Sequence, residues 1–153
     1  MLRLSKMTDY ATVVMTRLAQ EPDRLHSAQS LADSTHVELP TVSKVLKLLA
    51  RAGLVTSQRG ARGGYRLARS AERISVAEII SALEGPLGMT ECSIHVGSCA
   101  QEPVCSVRRN WRKISQAVVD SLRQVTLADM AEPMDSDPLA LRLEMARPRN
   151  NVC

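Results

Sequence analysis

Glycines at 60, 63 and 64, interleaved with Arg59 and Arg62, sit between two β-like runs, LVTSQ and GYRLA. Glycine takes positive φ without steric cost, so Arg59-Gly60-Ala61-Arg62-Gly63-Gly64 predicts a tight hairpin. Three short helical patterns precede it. The first covers about Thr8 to Ala19, with Tyr10, Val13, Val14, Arg17 and Leu18 at helical spacing. Glu21-Pro22-Asp23 turns the chain, and Ser27 is placed to cap a second helix, AQSLADST, whose Ala28, Leu31 and Ala32 share a face. After His36-Val37-Glu38 comes a third helix, with Pro40 in its first turn and Val42, Val45, Leu46, Leu48 and Leu49 facing the core. Gly53 closes it as a C-terminal cap. Three helices followed by a basic hairpin make a winged helix-turn-helix.

Beyond the hairpin, Ser75 caps SVAEIISALEG, which ends at Gly85 and Pro86. Residues 87–105 read as a loop holding Cys92, Cys99 and Cys105. A long helix is expected over about 107–125, with Trp111, Ile114, Ala117, Val118, Leu122 and Val125 along one side. Thr126 can cap a further short turn, TLADM, and after Pro133 the pattern dissolves into an expected flexible tail, 132–153. The fold class is therefore mainly α: a winged helix-turn-helix with a long C-terminal helix, within one domain over 1–131 whose DNA-binding part spans about 1–85. Aromatic residues number only Tyr10, Tyr65 and Trp111, so aliphatic side chains and Met must fill the core.

Charge separates the chain into two halves. Residues 1–70 carry 11 Lys and Arg against 5 Asp and Glu, whereas residues 71–153 carry 9 against 11. No acid lies between Glu38 and Glu72, while Lys44, Lys47, Arg51, Arg59, Arg62, Arg66 and Arg69 are all basic. A basic run is often only a solvated face; on a winged helix it points to nucleic acid. In such a module the second helix of the pair enters the major groove by its N-terminal residues. Here those are Thr41, Ser43, Lys44 and Lys47, off the apolar stripe. Thr41 and Ser43 either touch bases or serve only the helix start. Arg59 and Arg62, at the hairpin tip, suit a narrow, electronegative minor groove. Arg66 and Arg69 can equally well only solvate the strand.

The cysteines define the second theme. Their spacing is C-x6-C-x5-C, wider than the close pairs of structural zinc sites. Thiolates gathered on one loop can hold a soft metal or an iron–sulfur cluster, which commonly takes four protein ligands. A disulfide redox switch and a zinc site are the other readings. The N-terminal MLRLSKMTDYATVVM has no long apolar stretch or signal cleavage site, and no run reaches the roughly 18 residues of a membrane span, so a cytoplasmic protein without membrane association is expected. Cysteines there more often bind metals or act in redox chemistry than form structural bridges. No Ser/His/Asp set, phosphate loop or paired acids occur, and His26, His36 and His95 are scattered; the chain reads as a regulator without a small-molecule substrate, not an enzyme. A protein-binding adaptor is a further alternative, since winged helices also bind proteins.

The segments LRLSKMTDYA, KVLKLLARAGLV, QRGARGGYRLA and SVAEIISALEG, with the three cysteines and TLADM, resemble the Rrf2 family of bacterial transcription regulators over about residues 1–131. The cysteine pattern followed by VRRNWRKISQAV and VTLADM is most similar to the regulators of the SUF iron–sulfur assembly system. The resemblance implies a homodimer crossing through the 107–125 helix, promoter DNA as partner, and an iron–sulfur cluster on Cys92, Cys99 and Cys105 whose occupancy changes operator affinity. It equally admits a nitric-oxide or thiol-redox-sensing repressor. Some members supply a histidine three residues after the last cysteine, but that position is Arg108, which cannot ligate. Nitric-oxide-sensing relatives use a carboxylate from the partner's N-terminal T-D-Y/L segment, matched here by Thr8-Asp9-Tyr10. Asp9 is therefore the leading fourth metal ligand, with 4Fe–4S placed ahead of 2Fe–2S; otherwise Asp9 only favours the start of helix one. His95, Glu91 and Glu102 follow as candidates, and Cys153 is not expected to ligate.

Overall fold

The computed structural model describes residues 4–60, 62–95 and 97–132. Of the expected tail, residues 133–153 with Cys153 lie outside the described residues, as do residues 1–3, 61 and 96. Helix α1 spans Lys6–Gln20 and starts two residues before the expected Thr8, because Ser5 Oγ accepts from the Thr8 amide and caps it. Its core face is Thr8, Ala11, Val14, Met15 and Leu18, while Val13 is exposed. Helices α2 (Ala28–Thr35, capped by Ser27) and α3 (Leu39–Arg51) follow as the sequence suggests. His36 links them at φ 56°, a left-handed conformation uncommon outside glycine. Along α3, Val42, Val45, Leu46 and Leu49 are buried, while Leu48 is only half-buried.

Strands β1 (Val55–Gln58) and β2 (Gly64–Leu67) form the wing, antiparallel with Val55 opposite Leu67 and Gln58 opposite Gly64. The wing is seated on the turn between α1 and α2, where His26 and Tyr65 exchange backbone hydrogen bonds of 2.9 and 2.8 Å. Helix α4 (Val76–Glu84) begins with a capping box in which Ser75 and Glu78 satisfy each other's amides. Glu78 also takes an ion pair from Arg69, so Arg69 braces the start of α4 instead of merely solvating its strand. Within the cysteine segment the structure adds α5 (Glu91–Ile94) and a 3-10 turn at Glu102–Val104. Helix α6 covers Arg108–Gln124 and α7 covers Leu127–Ala131, capped by Thr126.

One core unites these parts. Side chains of α1, α2 and α3 pack with Leu54, Val55 and Leu67 of the wing, Ile74, Ile79 of α4 and Leu127 of α7. Burying each large aliphatic contributes about 1.5–3 kcal/mol before conformational entropy is counted. At the end of α1, ion pairs to Arg24 and Arg17 hold Glu21 down to about 2. Next to it His26 is buried at 1% exposure, and its Nε2 has no hydrogen-bond partner among the described residues. Burial pushes its imidazole below the ordinary 6.5, with the Arg17 and Arg24 charges acting in the same direction and Glu21 opposing them. The folded state thus resists a proton that the unfolded chain accepts. Stability from this group is complete above pH 6.5 and declines as pH falls below it. The midpoint of thermal unfolding should therefore drop between pH 7 and pH 5 in the wild type, and drop less in His26→Gln, as followed by circular dichroism.

Candidate nucleic-acid interface and cysteine loop

Helix α3 and the wing present the cations that the sequence singles out. Lys44 and Lys47 are exposed on α3, and Arg59 and Arg62 are exposed at the wing turn. Thr41 and Ser43 are half-buried in the first half of α3. Glu38 holds the N-cap position and the helix starts at Leu39, so neither hydroxyl is the cap. Within the first turn itself there is no acid, and Glu38 at the N-cap makes no side-chain capping hydrogen bond. Gly63 and Gly64 let the wing close: a Cβ on Gly63 would lie 2.2 Å from the Gln58 carbonyl oxygen.

The cysteine loop connects α4 to α6 and is fastened to α6 at several points. Cys92 is buried in α5, with its sulfur 3.3 Å from the Thr90 hydroxyl. The Ser93 hydroxyl accepts from the Thr90 amide at 3.0 Å, starting the short helix. On α6, Ser115 Oγ accepts from the Met89 amide at 3.0 Å and bonds Ser93 Oγ at 2.9 Å. Arg112 Nε donates to the Cys92 carbonyl at 3.3 Å. Cys99 and Cys105 are half-buried, and all three described cysteines are free thiols.

These donors fit an iron–sulfur cluster in kind, since each is a free thiol on a single segment. Their positions are not yet those of a coordination sphere. Among the described residues no three His, Cys, Asp or Glu side chains stand together as metal ligands. Asp9 lies exposed in the first turn of α1, where its charge suits the helix N-terminus. His95 and Glu91 are exposed at opposite ends of α5. Glu102 is buried, accepts from the Gly97 amide at 2.6 Å, and has its other oxygen 2.5 Å from Arg108 Nη2. The sequence places Glu102 among the weaker ligand candidates and Arg108 as a missing histidine. Their pairing across Cys105 is what sequence reasoning missed, and the only signal was opposite charge six positions apart.

The N-terminus of α1 is fixed close to the origin of this loop. Glu84, the last residue of α4, accepts from the Ser5 amide at 3.0 Å and from the Thr8 hydroxyl. Those hydrogen bonds hold its carboxyl below the usual range. Helix α6 turns little of its apolar stripe inward. Ser115 is its one buried residue, while Trp111 and Ile114 are 38% and 46% exposed. Beside it a cavity of about 180 Å³ opens between α4 and α6, with Leu4, Ile80, Pro86, Met89, Val118 and Leu122 in its wall.

Comparison with known proteins agrees with this architecture. The chain is similar to CymR (YrzC), the global cysteine regulator of B. subtilis, with 31% identity and a TM-score of 0.68 over 86% of this chain and 97% of that one. It matches S. aureus CymR with 33% identity and a TM-score of 0.63, covering 86% of this chain and all (100%) of that one. T. potens IscR shares 30% identity at a TM-score of 0.60, over 97% of this chain and 93% of that one. No helix among the described residues is long and apolar enough to cross a membrane. Residues 4–133 match the Rrf2 family, described as iron-dependent transcriptional regulators, and with the basic wing and α3 already in place the chain belongs to that family of DNA-binding regulators.

Proposed function

We propose that the chain is a homodimeric transcription regulator that senses iron–sulfur cluster status and controls iron–sulfur assembly genes of the suf type. The observation that carries the reading is the attachment of the cysteine loop to α6 through Ser115 and Arg112. A helix with an exposed stripe of Val107, Trp111 and Ile114 suits a second copy of itself, and whatever moves the loop moves that helix. Cys92, Cys99 and Cys105 would hold the cluster, with Asp9 of the partner chain completing the set and 4Fe–4S ahead of 2Fe–2S. When bound, the cluster supplies a redox- and iron-responsive centre. The protein's own part is to couple that site to the DNA module: Ser115 and Arg112 grip the loop, and Glu84 ties the Asp9 segment to α4. Two ligation states regulate transcription only to the extent that they differ in DNA-binding free energy.

Protein purified without oxygen should carry iron and acid-labile sulfide, and native mass spectrometry should find them on a dimer. Replacing Cys92, Cys99 and Cys105 together by Ala should remove both, at least tenfold below the wild type. Undiminished iron and sulfide in that variant would sink the site, and unchanged loading of Asp9→Ala would remove Asp9 from it. The nitric-oxide or thiol-redox reading uses the same three thiols, Cys92, Cys99 and Cys105. It requires a reductant-reversible disulfide after mild oxidation, or loss of DNA binding on nitric oxide exposure, in protein that holds no cluster.

A further inference from the structure

Glu102 is the one acidic side chain that is buried among the described residues, at 6% exposure, and it lies midway between Cys99 and Cys105. Three contacts converge on it. Its backbone amide donates to the Cys99 carbonyl at 3.0 Å, and its Oε2 accepts from the Gly97 amide at 2.6 Å. Oε1 stands 2.5 Å from Arg108 Nη2. Neither Oε1 nor Arg108 Nε has an aligned hydrogen bond among the described residues, so charge dominates the pairing. Arg108 is the first residue of α6, where the helix dipole opposes a cation. A carboxylate withdrawn from water and a guanidinium set against a helix N-terminus are each unfavourable alone. Together they offset one another, and removing either leaves the other stranded.

Cys92 is held differently. Its carbonyl is bonded by Arg112, and the hydroxyl of the adjacent Ser93 by Ser115. The loop is thus fastened to α6 twice, once at α5 and once through Glu102. We infer that buried Glu102 and partly exposed Arg108 form an ion-pair latch that positions Cys99 and Cys105 against α6, independently of Cys92. Its sensing role rests on the cysteine site proposed above. Because no three ligands are gathered among the described residues, drawing the thiols together requires at least one of Cys92, Cys99 and Cys105 to move, and this latch resists movement of the latter two. Glu102 is a positioning residue in this scheme, and Arg108 serves as its counter-charge in the place where a ligand histidine would stand.

The test is alkylation of the full-length, cofactor-free, reduced protein by iodoacetamide, with each cysteine followed by peptide mass spectrometry. Glu102→Gln and Arg108→Gln should each accelerate modification of Cys99 and Cys105 by roughly tenfold or more, since local opening loses its opposing charge pair. Cys92 should change by less than about twofold, because α5 and Arg112 remain. In the double variant the acceleration should fall well short of the product of the two single effects, the signature of a shared interaction. Unchanged rates, equal acceleration at Cys92, or effects that multiply in the double variant would overturn the latch. Arg108 is about one-third exposed, at 32%, so its variant keeps the test available should Glu102→Gln fail to fold. Iron and sulfide loading of the wild type is measured separately: absence of a cluster there defeats the sensing function and leaves the alkylation result to judge the latch.

Discussion

Replacing Lys44, Lys47, Arg59 and Arg62 together by alanine should reduce promoter affinity by roughly a thousandfold near 0.1 M salt, and lower the slope of log affinity against log salt by about 3–4 per protomer. All four cations are exposed, two on α3 and two at the wing, so their removal leaves the core intact. Each lost phosphate contact forfeits close to one released counterion, and the losses add because the sites are separate. Fluorescence anisotropy across a salt series measures both quantities. Arg123→Ala is the control: Arg123 is also exposed, but it sits on α6 beside Asp120 and should leave the slope unchanged. Thr41→Ala and Ser43→Ala are expected to act on sequence preference with little effect on the slope, as base contacts do. A quadruple variant that keeps the wild-type slope would place the DNA surface elsewhere.

Gly64→Ala should destabilise the protein by about 2–4 kcal/mol and weaken DNA binding at the same time. A Cβ there would stand 2.7 Å from the His26 carbonyl oxygen and 2.9 Å from its carbon, and both obstacles are backbone. Relief requires the wing to lift from the α1–α2 turn. That motion breaks the paired hydrogen bonds between His26 and Tyr65 and opens the buried imidazole to water. It also displaces the turn that carries Arg59 and Arg62. Urea denaturation gives the stability change, and anisotropy gives the binding change. Arg66→Ala, exposed on the same strand, should stay within about 0.5 kcal/mol of the wild type.

The helices and the wing were legible because each carries its own local chemistry: Ser27, Ser75 and Thr126 cap, Pro40 opens α3, and glycines turn the hairpin. Those signals act within a few residues, and so does the apolar stripe of α6. What that stripe packs against is not a local property, and in this chain its Trp111 and Ile114 stay exposed. Likewise α5 escaped notice because its cap uses Ser93 where a carboxylate is the usual cue. The His26–Tyr65 bridge joins single residues and has no periodicity to reveal it. Among the site residues, the cysteines and Arg108 stood out by type. Burial of Glu102 did not, because an acid in a polar loop reads as solvated until the fold encloses it.

The ends of the stretch from α4 to α6 meet at one place. The Val76 amide donates to the Val125 carbonyl at 2.9 Å, and the Leu127 amide donates to the Ile74 carbonyl at 2.7 Å. Residues 76–125 are therefore a ring closed where α4 begins and α6 ends and cross-braced within by Ser115 and Arg112, with Leu127 fully buried beside the closure. Through this clasp the end of α6 is joined to Ser75 and so to α4, which lies against α1 and α3. The short helix α7 thus closes the stretch that links α4 to α6.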